Sequence, residues 1–138
     1  MDINSHVFSI LTDDLTLGDR VTLHVDGRCM APIILSGDKV AIEVVDRFYS
    51  GDIVAYCCPH TKKNFVHRFL GTIKKKGQHK FLIMADNAIV PDTLVNVERV
   101  IGKAISIGEN PVEIPLFVRI KSVLLYLLWC GKLWLRKT

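Results

Sequence analysis

The sequence predicts a mainly β domain, antiparallel and curled, followed by a C-terminal amphipathic basic helix. Two observations predict it. Between residues 20 and 107, short alternating runs rich in β-branched and aromatic residues are separated by Gly, Asp and Pro. From Ile114 onward the pattern changes to a long apolar stretch flanked by lysine and arginine. The chain has 138 residues, enough for one domain with one core. With 49% apolar and 23% charged residues, its composition is that of a folded protein and excludes a disordered one.

Taken in order, residues 1–17 form an N-terminal segment. Within it, Asn4–Leu15 reads as a short amphipathic helix, with Val7, Ile10 and Leu11 near one face and Gly18 closing it. The β domain is expected over 18–113. Arg20–Val25 alternates Val21, Leu23 and Val25 against Thr22 and His24, the pattern of a half-buried strand. Lys39–Val45 alternates again, and Gly51-Asp52 opens a strand over Ile53–Cys57. A polar turn at Lys62–Asn64 precedes a strand over Phe65–Ile73. Gly77-Gln78-His79 is expected at a hairpin tip, with Lys80–Ala85 returning from it and Val100–Ile107 as the last strand. Asp38 and Asp52 are expected to form turns by accepting local backbone hydrogen bonds.

Residues 114–138 are the helix. On it, Lys121, Lys132 and Arg136 cluster on one side, while Leu125 and Leu128 interrupt that polar face. Such a helix fits a membrane interface, with tryptophans at headgroup depth and lysines snorkelling. It equally fits packing on its own domain or on a partner chain. No run reaches the roughly 18–20 apolar residues that span a bilayer. Met1–Asp14 lacks the basic n-region of a signal peptide.

The net charge of +4 is modest. No aromatic residue stands within Lys62-Lys63 or among Lys74, Lys75, Lys76 and Lys80, so this basic group reads as a solvated hairpin tip and no nucleic-acid partner is expected. Cys29, Cys57, Cys58 and Cys130 show no C-x-x-C and no zinc-ligand spacing, so neither a metal nor a cofactor is expected. Adjacent cysteines rarely bridge. The set reads as reduced thiols, which points to a cytoplasmic location or a peripheral one at the membrane surface.

The chemistry-bearing residues are a thiol and an imidazole. Cys29 sits on a turn bracketed by Gly27 and Pro32, and His67 follows on a later strand; this pair has the ingredients of a nucleophile and its base. A third group is needed to fix the tautomer of His67, and Asp92 and Asp86 are the two candidates.

Six blocks line up around these residues: Gly27-Arg28-Cys29-Met30-Ala31-Pro32, Ser36-Gly37-Asp38-Lys39-Val40, Gly51-Asp52-Ile53-Val54, Val66-His67-Arg68-Phe69-Leu70-Gly71, Met84-Ala85-Asp86-Asn87 with Pro91-Asp92, and Ile101-Gly102-Lys103-Ala104. In this order and at these distances they resemble the type I signal peptidase family and its LexA-like relatives, over residues 18–107. The resemblance implies a signal peptidase/LexA-like β fold. It also implies an endopeptidase that cleaves leader or signal peptides after small residues. Cys29 stands where the family has its nucleophilic Ser, His67 takes the place of the general base Lys, and Asp92 matches the later family Asp. Gly27, Met30 and Pro32 fall in the substrate-binding block. Full members carry a transmembrane anchor ahead of the Ser block, and this chain shows none there. Two departures stand out. A Cys replaces the Ser, and Ala85 replaces the Gly of the G-D-N block. The position two residues before the nucleophile often supplies a hydroxyl to the oxyanion hole; here it is Gly27. A catalytically inactive module that binds a peptide or protein partner is the alternative these departures leave open.

Overall fold

The computed structural model describes residues 15–58 and 63–136. Eight strands form one antiparallel sheet: β1 (Arg20–His24), β2 (Lys39–Glu43), β3 (Ile53–Cys57), β4 (Asn64–Lys75), β5 (Gln78–Met84), β6 (Val95–Asn96), β7 (Val100–Ile107) and β8 (Asn110–Pro111). Their order across the sheet is β1-β2-β7-β3-β4-β5-β6, with β8 paired to β7. The sheet curls into a half-barrel. Its ladders shift register at Ala41/Ile42, Ala55/Tyr56 and Phe69/Gly71, the irregularities that let a sheet bend. One helix, α1 (Leu116–Arg136), follows the sheet. The helix expected over Asn4–Leu15 falls outside the described residues except for Leu15, which lies in no helix.

Period-two alternation sorts side chains to the two faces of the sheet. The concave core holds Val21, Leu23, Val40, Ile42, Ile53, Ala55, Val66 and Ile101. The other face of β3 and β4 sends Val54, Tyr56 and Phe69 into an aromatic cluster with Phe48, Phe81, Ile83 and Val95. β3 is therefore buried on both faces, which is why Ile53–Cys57 reads as an unbroken apolar run.

One turn device recurs. In Thr16–Asp19, Leu35–Asp38 and Tyr49–Asp52 the fourth residue's amide donates to the first residue's carbonyl. The Asp carboxylate accepts the first residue's amide in return, at 2.9, 2.7 and 2.9 Å. The third residue is a glycine with φ of +89°, +91° or +103°, as a type II turn requires. Asp38 and Asp52 are thus turn formers.

The hairpin tip differs from the sequence expectation. Lys75 pairs with Gln78, so the turn is Lys76-Gly77, both with positive φ, and Gln78 and His79 belong to β5. A two-residue turn of this hand matches strand twist, so no longer tip is needed. Lys74–Lys76 are exposed there.

The helix rests on β4 and β5. Leu125, Tyr126 and Trp129 pack on Leu70, Leu82 and Met84. The Tyr126 hydroxyl donates to the Thr72 carbonyl at 2.6 Å, and Arg119 Nη1 donates to Asp52 Oδ1 at 3.1 Å. The Tyr126 ring lies flush on Gly71, where a Cβ would stand 2.4 Å from it. A Cβ on Gly102 would stand 2.1 Å from the Glu43 carbonyl oxygen, a backbone atom that cannot swing aside. Gly102→Ala is therefore expected to lower unfolding free energy by about 1–3 kcal/mol. Gly131→Ala, in open space on the helix, should raise it by up to about 1 kcal/mol. Urea midpoints of the two variants check both signs.

Candidate functional site

Cys29 sits on the loop between β1 and β2. The loop turns at Arg28–Ala31, closed by the Ala31 amide on the Arg28 carbonyl at 3.1 Å, and the Ile34 amide reaches the Met30 carbonyl at 3.0 Å. The Ala31–Pro32 peptide is cis. Two buried side chains fix the loop: Met30 is buried to 2% exposure and Ile34 to 0%, while Cys29 is exposed. The segment after β5 clamps it from outside. The Asn87 amide donates to the Cys29 carbonyl at 3.0 Å, and the Asn87 side chain donates to the Arg28 carbonyl. The Asp86 amide points at Met30 Sδ, 3.3 Å away.

His67 comes from β4 and is 6% exposed. Its Nδ1 lies 2.6 Å from Asp92 Oδ2. The Asp92 backbone is itself anchored, its amide donating to the Ile83 carbonyl of β5 at 2.8 Å. The Tyr56 hydroxyl donates to the same carboxylate oxygen. Tyr56 and Phe65 flank the imidazole, with centroids 6.0 and 5.4 Å from it. With Nδ1–H given to a carboxylate, the tautomer is set and Nε2 is the basic nitrogen.

The two carboxylates have separate partners. Asp92 holds the ring. Asp86 receives a bidentate pair from Arg68, Nε at 2.8 Å and Nη2 at 2.7 Å, while Arg68 Nη1 donates to the Gly51 carbonyl at 2.7 Å. Asp86, one of the two expected partners of His67, is thus the anchor of a buried arginine and does not touch the ring. The reason is alternation: His67 and Arg68 are neighbours on β4 and point to opposite faces.

Cys29, Met30 and His67 line one cleft of about 470 Å³ with Leu23–Asp26 and Lys63–Val66. No hydrogen bond joins Cys29 Sγ to the ring among the described residues. Strand edges border this cleft. β1 ends the sheet, and the β5 ladder begins only at Arg68, so Phe65–His67 pair with a strand on the β3 side alone. Pro32 lies on the far side of the loop, in a second cavity of about 620 Å³ shared with Ala85–Ala88 and Phe117. Gly27 lines neither cavity; its φ of +89° shapes the loop, and its amide faces Ser36 Oγ at 3.4 Å. No group of three metal-ligating side chains occurs among the described residues.

Tyr56 is the site residue that sequence reasoning missed. Embedded in an apolar strand, it reads as core. The register carries the signal: Val54 pairs with His67 and Tyr56 with Phe65, so Tyr56 is on the ring's face, one diagonal away. Burial first, then the bond to Asp92, then the charges of Asp92, Cys58 and Cys29 push its hydroxyl well above the usual tyrosine range.

Compared with known proteins, the sequence matches no family model and no curated protein.

Two outcomes follow. A tyrosine raised in the folded state contributes stability that is full below pH 10 and lost as pH rises beyond it. Tyr56→Phe should therefore flatten the alkaline decline in stability, read as urea midpoints between pH 8 and about 11. Asp86→Asn leaves Arg68 buried without its carboxylate and should cost about 2–4 kcal/mol in the same measurement.

Proposed function

We propose that this chain is a signal-peptidase-like endopeptidase that cleaves leader or signal peptides, with Cys29 as nucleophile and His67 as general base. The observation that carries the reading is the 2.6 Å contact of His67 Nδ1 with Asp92, together with the cleft that His67 and Cys29 both line. A half-buried carboxylate on one ring nitrogen makes the other a base and stabilises the imidazolium that forms. The six blocks that resemble the signal peptidase and LexA-like families supply the rest of the reading: the type of fold, the peptide substrate and the preference for small residues.

In this mechanism the substrate adds as a strand along the edge beside Cys29 and gives its backbone hydrogen bonds to the sheet. The Cys29 proton passes to His67 Nε2, and sulfur attacks the scissile carbonyl. His67 returns the proton to the leaving amine, which departs and leaves a thioester on Cys29. Water, deprotonated by His67, then releases the acyl half as an acid. Asp92 keeps the ring oriented throughout, and Tyr56 holds Asp92. The Cys29 amide meets the oxyanion. Catalytic hydrogen bonds often tighten only when substrate closes the site, which fits an Sγ not bonded to the ring before substrate arrives.

A second reading is a peptide-binding module that keeps the scaffold without catalysis. The same unbonded Sγ favours it, together with Gly27, which has no side chain to offer an oxyanion; one missing donor costs about two to three orders of magnitude in rate.

Cys29→Ala and His67→Ala should each abolish cleavage of the cognate precursor, and Asp92→Asn should lower kcat by about three to four orders of magnitude. Retained cleavage in either alanine variant ends the assignment. Alkylation separates the two readings without a known substrate. An activated Cys29 reacts quickly with iodoacetamide well below pH 8, and His67→Ala slows it. A rate equal to that of an ordinary thiol favours the binding module.

A further inference from the structure

We propose that the outward face of α1 lies on an anionic lipid surface. The helix meets the sheet through Ser122, Leu125, Tyr126 and Trp129. At roughly 100° per residue, the opposite side carries Leu116, Ile120, Val123, Leu124, Leu127 and Trp134. Each of these is between 42% and 73% exposed. A helix on the surface of a globular domain turns its charged side to water. This one is apolar on the side that packs and apolar again on the side that faces out, so its outer face has the character of a surface that is covered. It does not cross a bilayer: among the described residues no helix is long and apolar enough to do so.

Charge identifies the cover. From Leu116 to Thr138 there is no Asp or Glu, while Arg119, Lys121, Lys132, Arg136 and Lys137 are basic. Arg119 is committed to Asp52. Lys121 and Lys132 are exposed along one border of the apolar face, and Lys132 Nζ lies 4.6 Å from the Trp129 ring centroid. An apolar stripe bordered by lysines, with a tryptophan at its end, suits acyl chains below and anionic headgroups alongside. A second copy of the chain fits less well, because two such helices laid face to face align positive charges with no carboxylate on either helix to answer them. The face also continues toward the candidate site. Phe117 lines the cavity that Ala31, Pro32 and Ile33 close from the other side, on the loop that bears Cys29. The inference stands on this face alone and does not depend on proteolysis.

The test uses the full chain and vesicles of phosphatidylcholine with or without phosphatidylglycerol. The protein should sediment with the anionic vesicles at low salt. Brominated lipid should quench its tryptophan fluorescence, and Trp134→Phe should remove most of that quenching, because Trp129 is packed on the sheet. Leu124→Glu with Leu127→Glu should abolish sedimentation with the far-ultraviolet circular dichroism unchanged. Lys121→Gln with Lys132→Gln, which spares the apolar face, should weaken partitioning roughly fivefold per lysine. The proposal is overturned if the protein stays in the supernatant, or if it sediments equally well in the Glu variant. It is also overturned if it forms a dimer in lipid-free buffer that the Glu variant dissolves, for then a second copy covers the face.

Discussion

The register of β4 against β3 and β5 is the constraint on which the rest depends. Six consecutive β4 residues serve five different neighbours. Val66 enters the concave core, His67 faces the cleft, and Arg68 reaches Asp86 and the Gly51 carbonyl. Phe69 joins the aromatic cluster, Leu70 meets the helix side, and Gly71 makes room for Tyr126. A slip of one residue exchanges every inward and outward side chain, because the strand period is two. It would put an arginine where the imidazole is and destroy both carboxylate pairs at once. The pairing of Val54 with His67 is thus a condition for the core, the site and the helix seat together.

The charged groups are divided by the same geometry. Three acidic side chains around the site have separate partners. Asp92 accepts from His67 and Tyr56, Asp86 accepts from Arg68, and Asp52 caps its own turn while receiving Arg119 from the helix. Buried charges are tolerated only when so matched, since a lone one costs several kcal/mol. The Asp86-Asn87 segment adds a mechanical role. It grips Met30 and the Arg28 and Cys29 carbonyls from outside, so the loop bearing the thiol is set by the end of β5 and not by its own sequence alone.

The helix shows where periodicity stops being informative. Its basic residues fall on one border, which is readable from spacing. Leucine, however, occurs all around it, so no hydrophobic stripe singles out the packing face. Ser122, one of the few small polar residues on the helix, is the most buried side of it; its hydroxyl returns to the Val118 carbonyl at 2.7 Å and so needs no other partner. Ser122 faces the sheet and Leu124 faces out. Close approach over Gly71 seats the helix this way, because only a residue without a Cβ leaves room for the Tyr126 ring.

What the sequence determined by itself is whatever depends on neighbours in the chain. Alternation marked β1 and β2, Gly, Asp and Pro signals set off the other four longer strands, and Gly-Asp pairs marked the turns that Asp38 and Asp52 close. Cys29 stood out as a thiol between Gly and Pro, and His67 through the block Val66-His67-Arg68, which resembles one of the signal peptidase family. The two-residue strands β6 and β8 were too short to show any period. Which carboxylate meets His67, what Tyr56 does, and which side of α1 faces the sheet were decided only in three dimensions. Each depends on two segments meeting across strand pairing or helix docking, and such contacts leave no periodic trace in either segment alone.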